Sequence, residues 1–241
     1  MHDSNALPGK SNRVGARWCT KVLLGLEAAR KYFPHSEVEV TGTPVRAEFR
    51  NLPPKEEALA KFGLQPGRPV VLSFGGSQGA MRINTLVAEA SRESGDRVQW
   101  LQIAGRADEA RVKGLVGGRV NHTVTGFCDD MPSAYAAGDL VISRSGGASL
   151  TEVAFLGKPS VLVPYPFAAD DHQTRNAESF EKAGAAVLAR ERDLDGGRLA
   201  GIVGDLLGAP DKLQAMASAM RALSVDDSAG MICDVIEGAC G

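Results

Sequence analysis

Apolar and polar positions follow two different periods along this chain. From Pro69 onward, short apolar runs at 69–74, 98–103, 119–124, 139–143, 160–164 and 185–189 read as strands. Between them, apolar residues recur at helical spacing near 79–92, 106–114, 131–137, 148–156 and 172–183. Strands alternating with helices through short connections predict an α/β domain, with a mostly parallel sheet covered on both faces. After Asp193 the pattern is all-helical, at roughly 195–207, 210–223 and 226–238. Ligands of such sheets sit at the carboxyl ends of the strands, so the turns found there are the first places to look for chemistry.

The chain upstream of Pro69 reads differently. The stretch 50–68 is punctuated by Pro and Gly around one short charged helix, which predicts a linker. Residues 1–49 suggest strand, helix, strand and a turn at Gly42 and Pro44, too little to bury a core of their own. The expected organisation is therefore a partial first domain over 1–49, a linker over 50–68, a complete domain over 69–223 and a C-terminal helix over 224–241. His2 and Asp3 are expected to fray with the terminus.

Composition narrows the function classes. With 241 residues and a formal net charge of −2, the chain has no electrostatic footprint for nucleic acid, and its 5% aromatic content argues against base-stacking platforms. Cys19, Cys128, Cys233 and Cys240 lack C-x-x-C spacing and read as reduced thiols of a cytoplasmic protein. The N-terminus has neither a basic nor an apolar segment of the signal-peptide kind, and no run approaches the ~20 apolar residues of a spanning helix.

Four segments carry candidate chemistry. In "VVLSFGGSQGAMRIN" a strand runs through Gly75-Gly76-Ser77-Gln78-Gly79 into a helix, a way of presenting backbone N–H groups to an anion. Neither G-K-[ST] nor G-x-G-x-x-G is present, and a turn needing glycine for geometry alone is the plain alternative. In "SRSGGASLTE", Gly146 and Gly147 open a second helix. Glu152 lies one turn inside it, where a carboxylate can accept from a ribose diol; Ser149 with Glu152 also fits a capping box. In "TGFCDDMPSAYAAGD", Phe127 is placed to cover a base or to pack in the core, Cys128 offers its backbone to a base edge, and Asp129 is the expected helix cap. In "PYPFAADDHQTRNA", Gln173 and Asn176 share a helix face, and amides that both donate and accept suit sugar hydroxyls. Adjacent Asp170, Asp171 and His172 fit a metal site less well than ordinary caps.

In order and spacing these segments, with "HDSNALPG" at 2–9 and "VTGTPVR" at 40–46, resemble the MurG family of N-acetylglucosaminyltransferases, which convert lipid I to lipid II in peptidoglycan synthesis. The resemblance runs from His2 to about Leu223. It implies a GT-B architecture, in which two Rossmann-like domains face across a cleft and the second binds UDP-GlcNAc as donor substrate, with no cofactor and no metal. By position, Phe127 and Cys128 would hold the uracil and Glu152 the ribose. Gly76, Ser77, Gln78, Gly146, Ala148 and Ser149 would take the diphosphate with Arg46, and Gln173 and Asn176 would read the GlcNAc. His2, Asp3 and Asn5 are acceptor-side candidates. No catalytic base is assigned, because the histidine proposed for that role in the family precedes the stretch matched by His2. Asp3 and Thr43 depart from the family's usual glutamate and asparagine.

The implied activity is inverting hexosyl transfer to undecaprenyl-pyrophosphoryl-MurNAc-pentapeptide (lipid I), by an enzyme peripheral at the inner face of the cell membrane. In this chain the donor-binding half predominates. The alternative is a donor-binding subunit that needs a separate acceptor-binding chain.

Overall fold

The computed structural model describes residues 1–75 and 81–240, the side chain of Cys240 excepted. In chain order it contains β1 (His2–Asp3), α1 (Lys10–Gly15), β2 (Val22–Leu24), β3 (Val38–Val40), α2 (Lys55–Lys61), β4 (Val70–Phe74), α3 (Met81–Glu93), β5 (Gln99–Ile103), α4 (Glu109–Val116) and β6 (His122–Thr125). There follow α5 (Met131–Ala137), β7 (Leu140–Ser143), α6 (Gly147–Phe155), β8 (Ser160–Leu162), α7 (His172–Lys182), β9 (Ala186–Leu188), α8 (Gly196–Leu207), α9 (Pro210–Ala222) and α10 (Ser228–Cys240). No described helix is long and apolar enough to cross a membrane.

Two parallel sheets organise these elements. The larger has the order β6-β5-β4-β7-β8-β9, and every neighbouring pair is parallel. Its chain order reverses between β4 and β7, which makes the carboxyl ends of those two strands the topological switch point. Side chains alternate between two buried layers, as a pleated strand covered on both sides requires. Val70, Leu72, Leu101, Val141 and Leu162 pack with Tyr135, Leu150, Val153 and Phe180 on one face. Val71, Trp100, Leu140, Ile142 and Val161 pack with Ile83, Leu86, Leu199 and Val203 on the other. On that second face α8 lies close enough to α3 that a Cβ at Gly196 would come within 2.3 Å of the Glu89 Cβ, so glycine is required.

The smaller sheet, β1-β2-β3, is parallel and backed by a modest cluster of Ala16, Val22, Leu24, Ala29 and Phe33. Its first strand does not fray. The terminal ammonium donates to the Lys21 carbonyl, Leu23 N–H donates to the Met1 carbonyl, and Asp3 is 4% exposed. The expectation of a loose terminus missed this parallel pairing, which rests on residues some twenty positions away.

The segment 50–68 does more than connect. Ala58, Leu59 and Leu64 join the core of the larger sheet, the Gln99 side chain pairs with both the N–H and the carbonyl of Gln65, and Lys61 meets Asp130 on α5. At the other end, residues 224–228 return to the smaller sheet. Gly42 (φ +69°) faces Val225 and Ser228 so closely that a Cβ there would stand 2.5 Å from the Ser228 Oγ.

Candidate functional site

A cavity of about 640 Å³ opens at the carboxyl ends of β4, β5 and β6, beside the switch point. Phe74 and Ile103 form its apolar floor, and Arg46, Arg106, Asp108 and Phe127 stand around it. Phe127 follows β6, in a turn closed by the Thr125 hydroxyl donating to the Phe127 carbonyl at 2.8 Å. A Cβ on Gly126 would crowd the Glu109 carboxylate and stand 3.1 Å from Arg106 Cα. The ring is 54% exposed, with the Arg106 guanidinium 4.6 Å above it. An exposed aromatic roofed by a cation is not core packing, which removes that alternative. Cys128 is half-buried beside it, and burial pushes its thiol pKa up. The cap of α5 is Asp130 rather than the expected Asp129. Its carboxylate accepts from Ser133 N–H at 3.0 Å, and the hydrogen bonds from Lys61 and Ser133 bring it down to about 2.

Helix α6 presents its N-terminus at the same edge. Its cap is Gly146, so Gly147, Ala148 and Ser149 form the first turn and Ser149 is not a capping residue. The capping-box alternative for Glu152 therefore falls. The leading N–H groups of a helix have no intrahelical partner and favour an anion. Ala148 is exposed there, and Ser149 partly so. A Cβ on Gly147 would stand 3.3 Å from Ser4 Cβ and 3.4 Å from Asn5 Oδ1, so the N-terminal segment runs directly past this turn.

Glu152 projects from the second turn of α6 with 22% of its side chain exposed. One carboxylate oxygen accepts from the Tyr135 hydroxyl at 3.1 Å, and the other faces Arg46 Nη2 at 3.5 Å. Burial raises its pKa, and the Tyr135 hydrogen bond and the Arg46 charge oppose the rise. Arg46 lies over the Phe49 ring at 4.7 Å and pairs with Glu48 at 2.8 Å. The carboxylate is thus desolvated but flanked by donors, the setting in which it accepts hydrogen bonds strongly.

The amides divide. Gln173 accepts from Tyr165 N–H at 3.0 Å, and its Nε2 has no protein partner among the described residues. Asn176 departs from the expectation of a sugar-reading residue. It is 0% exposed; its Oδ1 accepts from Ala6 N–H at 2.7 Å, and its Nδ2 donates to Asn5 Oδ1 at 3.1 Å and to the Ser145 carbonyl at 2.9 Å. With every amide group engaged, Asn176 is a strut between the N-terminal segment and the turn before α6.

The acceptor-side candidates are also structurally engaged. His2 Nε2 lies 2.8 Å from the Gly42 carbonyl, and Asp3 accepts from Asn5 N–H, Gly9 N–H and the Asn12 amide. Gly76, Ser77 and Gln78 lie outside the described residues. Among the described residues no three His, Cys, Asp or Glu side chains converge as a metal site.

Sequence reasoning missed Tyr135, Arg106 and Asp108. Nothing in "MPSAYAAGD" marks Tyr135 as more than a core aromatic. The Gly-Arg pair directly after a strand at 105–106 was a usable signal for Arg106.

Residues 70–230 match the glycosyltransferase family 28 C-terminal domain. The chain belongs to that family. This family 28 chain is 40% identical over 232 residues to the "UDP-N-acetylglucosamine--N-acetylmuramyl-(pentapeptide) pyrophosphoryl-undecaprenol N-acetylglucosamine transferase" of Trichormus variabilis, covering 95% of this chain and 63% of that protein. It is 38% identical over 242 residues to the protein of the same name in Geotalea daltonii, covering 99% of this chain and 65% of that one. Among solved structures it is similar to Acinetobacter baumannii MurG, with a TM-score of 0.80 and 27% identity over 98% of this chain and 66% of that one. The GT-B architecture and the MurG resemblance drawn from the motifs are both borne out. The family 28 chain spans a little under two thirds of the length of these relatives.

Proposed function

We propose that this chain is the donor-binding part of a MurG-type transferase, and that it takes UDP-GlcNAc for inverting transfer to lipid I at the cytoplasmic membrane surface. The observation that carries this reading is the grouping at the carboxyl edge of the larger sheet: Phe127 and Arg46 line one cavity, Arg46 also reaches Glu152, and α6 begins at the end of β7 on the same edge. A base enters between Phe127 and the apolar floor, with the Cys128 backbone at its edge. The ribose diol donates to Glu152. The diphosphate lies at the first turn of α6 over Ala148 and Ser149, and Arg46 leaves Glu152 to pair with it; the family resemblance adds Gly76, Ser77 and Gln78, which lie outside the described residues. Those N–H groups and that guanidinium stabilise the charge that grows on UDP as the sugar departs. Gln173, whose amide Nε2 is unengaged among the described residues, reads the sugar. Metal plays no part in this scheme.

Calorimetry of the purified chain with UDP and UDP-GlcNAc tests the reading. Binding of both is expected, and Glu152→Ala should weaken UDP by roughly 1.5–3 kcal/mol, the range for hydrogen bonds to a charged group. Absence of UDP binding by the folded wild-type chain refutes it.

A further inference from the structure

The Tyr135 phenol stands behind the Glu152 carboxylate with no route to solvent. Its ring is 0% exposed and meets Phe49 edge-on at 5.6 Å and Phe74 at 5.8 Å. A ring so enclosed has one rotamer, and its hydroxyl is a donor fixed in space. Apolar packing at this point needs only a phenylalanine. A buried hydroxyl needs a partner, and the partner here is Glu152 Oε2 at 3.1 Å.

Glutamate loses a large share of its rotamer freedom when it is held in one pose, so an untethered Glu152 in an open crevice would spread over several. The tether at Oε2 leaves Oε1 to Arg46, which lines the cavity and meets it at 3.5 Å. We propose that Tyr135 is a positioning residue for nucleotide binding: its hydroxyl holds one oxygen of Glu152 back in the protein and turns the other toward the vicinal hydroxyls of a ribose. This inference rests on the nucleotide-sugar reading above and adds to it a basis for selecting ribose over deoxyribose.

The charges around the carboxylate set a second consequence. Tyr135 faces it from α5, and Arg46 and Glu48 face it from the segment before α2. Burial and Glu48 favour the protonated acid; Tyr135 and Arg46 favour the carboxylate. Removing the hydroxyl therefore moves protonation of Glu152 to higher pH, and a protonated acid accepts less well from a diol.

The test is calorimetry with UDP and 2′-deoxy-UDP on the wild-type chain, Tyr135→Phe and Glu152→Gln. The wild type is expected to prefer UDP. Tyr135→Phe keeps the ring packing and should lose about tenfold in UDP affinity with little change for the deoxy analogue, so the preference collapses. The low-pH loss of UDP binding should also begin at higher pH in Tyr135→Phe, and Glu152→Gln should abolish that pH dependence. Equal weakening of both nucleotides, or an unchanged preference in Tyr135→Phe while Glu152→Gln loses it, overturns the positioning role and leaves the nucleotide reading intact. Failure of the wild type to bind UDP overturns both.

Discussion

Replacing Asn176 by alanine separates what the motif suggests from what the fold does with it. The side chain makes three hydrogen bonds, to Ala6 N–H, Asn5 Oδ1 and the Ser145 carbonyl, and none reaches solvent-facing space. At a net ~1 kcal/mol each, with a further ~1–3 kcal/mol for leaving the buried Ala6 N–H unpaired, the loss is about 4–6 kcal/mol. Denaturant unfolding should register that loss. Amide hydrogen exchange should assign it to residues 1–12, because Asp3, Asn5 and Ala6 belong to one bonded loop that Asn176 anchors to α7.

The contrasting variant is Gln173→Ala, one turn earlier on the same helix, whose Nε2 is unengaged among the described residues. There the preference for UDP-GlcNAc over UDP-GalNAc should fall while UDP itself binds as before, since a site built for one hydroxyl discriminates strongly against its absence. In Asn176→Ala the sugar preference should persist in the folded fraction. A variant at Asn176 with wild-type stability and lost sugar preference would refute the strut and restore the sugar-reading role.

Two further outcomes are expected. His122, buried against Trp100 and between Ser91 and Gln102, is pushed down to about 4, first by burial and then by Arg119. The unfolded chain takes up that proton near pH 6.5 and the folded chain does not. Unfolding free energy should therefore decline by at most about 1.4 kcal/mol per pH unit from this group between pH ~6.5 and 4, and a His122→Asn variant with the same slope in urea titrations would exclude it. The second concerns transfer. His2 and Asp3 are tied into the fold by the Gly42 carbonyl and by the 3–12 loop, so neither is free as a base. The isolated chain should bind UDP-GlcNAc yet form no product with a lipid I analogue until a first domain is supplied, and product formation by the chain alone at a full-length relative's rate would contradict this.

The larger sheet was legible because its central strands are short, doubly buried runs such as Val70-Val71-Leu72 or Leu140-Val141-Ile142, bounded by turn residues. Such runs leave little choice of structure. The functional edge was legible for the same reason, since strand ends carry glycine turns and the switch point follows from strand order. What local pattern could not supply were partners distant in sequence. The 50–68 segment has the punctuation of a linker, yet α2 within it packs on α5 and Leu59 and Leu64 join the core, which their spacing alone does not announce. Asp130 rather than Asp129 caps α5, accepting from Ser133 N–H, and Lys61 on that docked segment meets the same carboxylate.

Asn176 and Tyr135 mark the limit most sharply, and in opposite directions. An amide at a helix start looks like a ligand contact, and a tyrosine among alanines looks like core. The structure places Asn176 in the interior between Asn5 and Ser145, and places the Tyr135 hydroxyl on the Glu152 carboxylate. Polarity in a sequence marks where a hydrogen bond must be satisfied, but not whether protein or ligand satisfies it. That assignment depends on how near the N-terminal segment comes to α6, where a Cβ on Gly147 would stand 3.3 Å from Ser4. Such proximity is a property of the packed chain, and both residues take their roles from it or from the equally non-local packing of Phe49 and Phe74 around a single phenol.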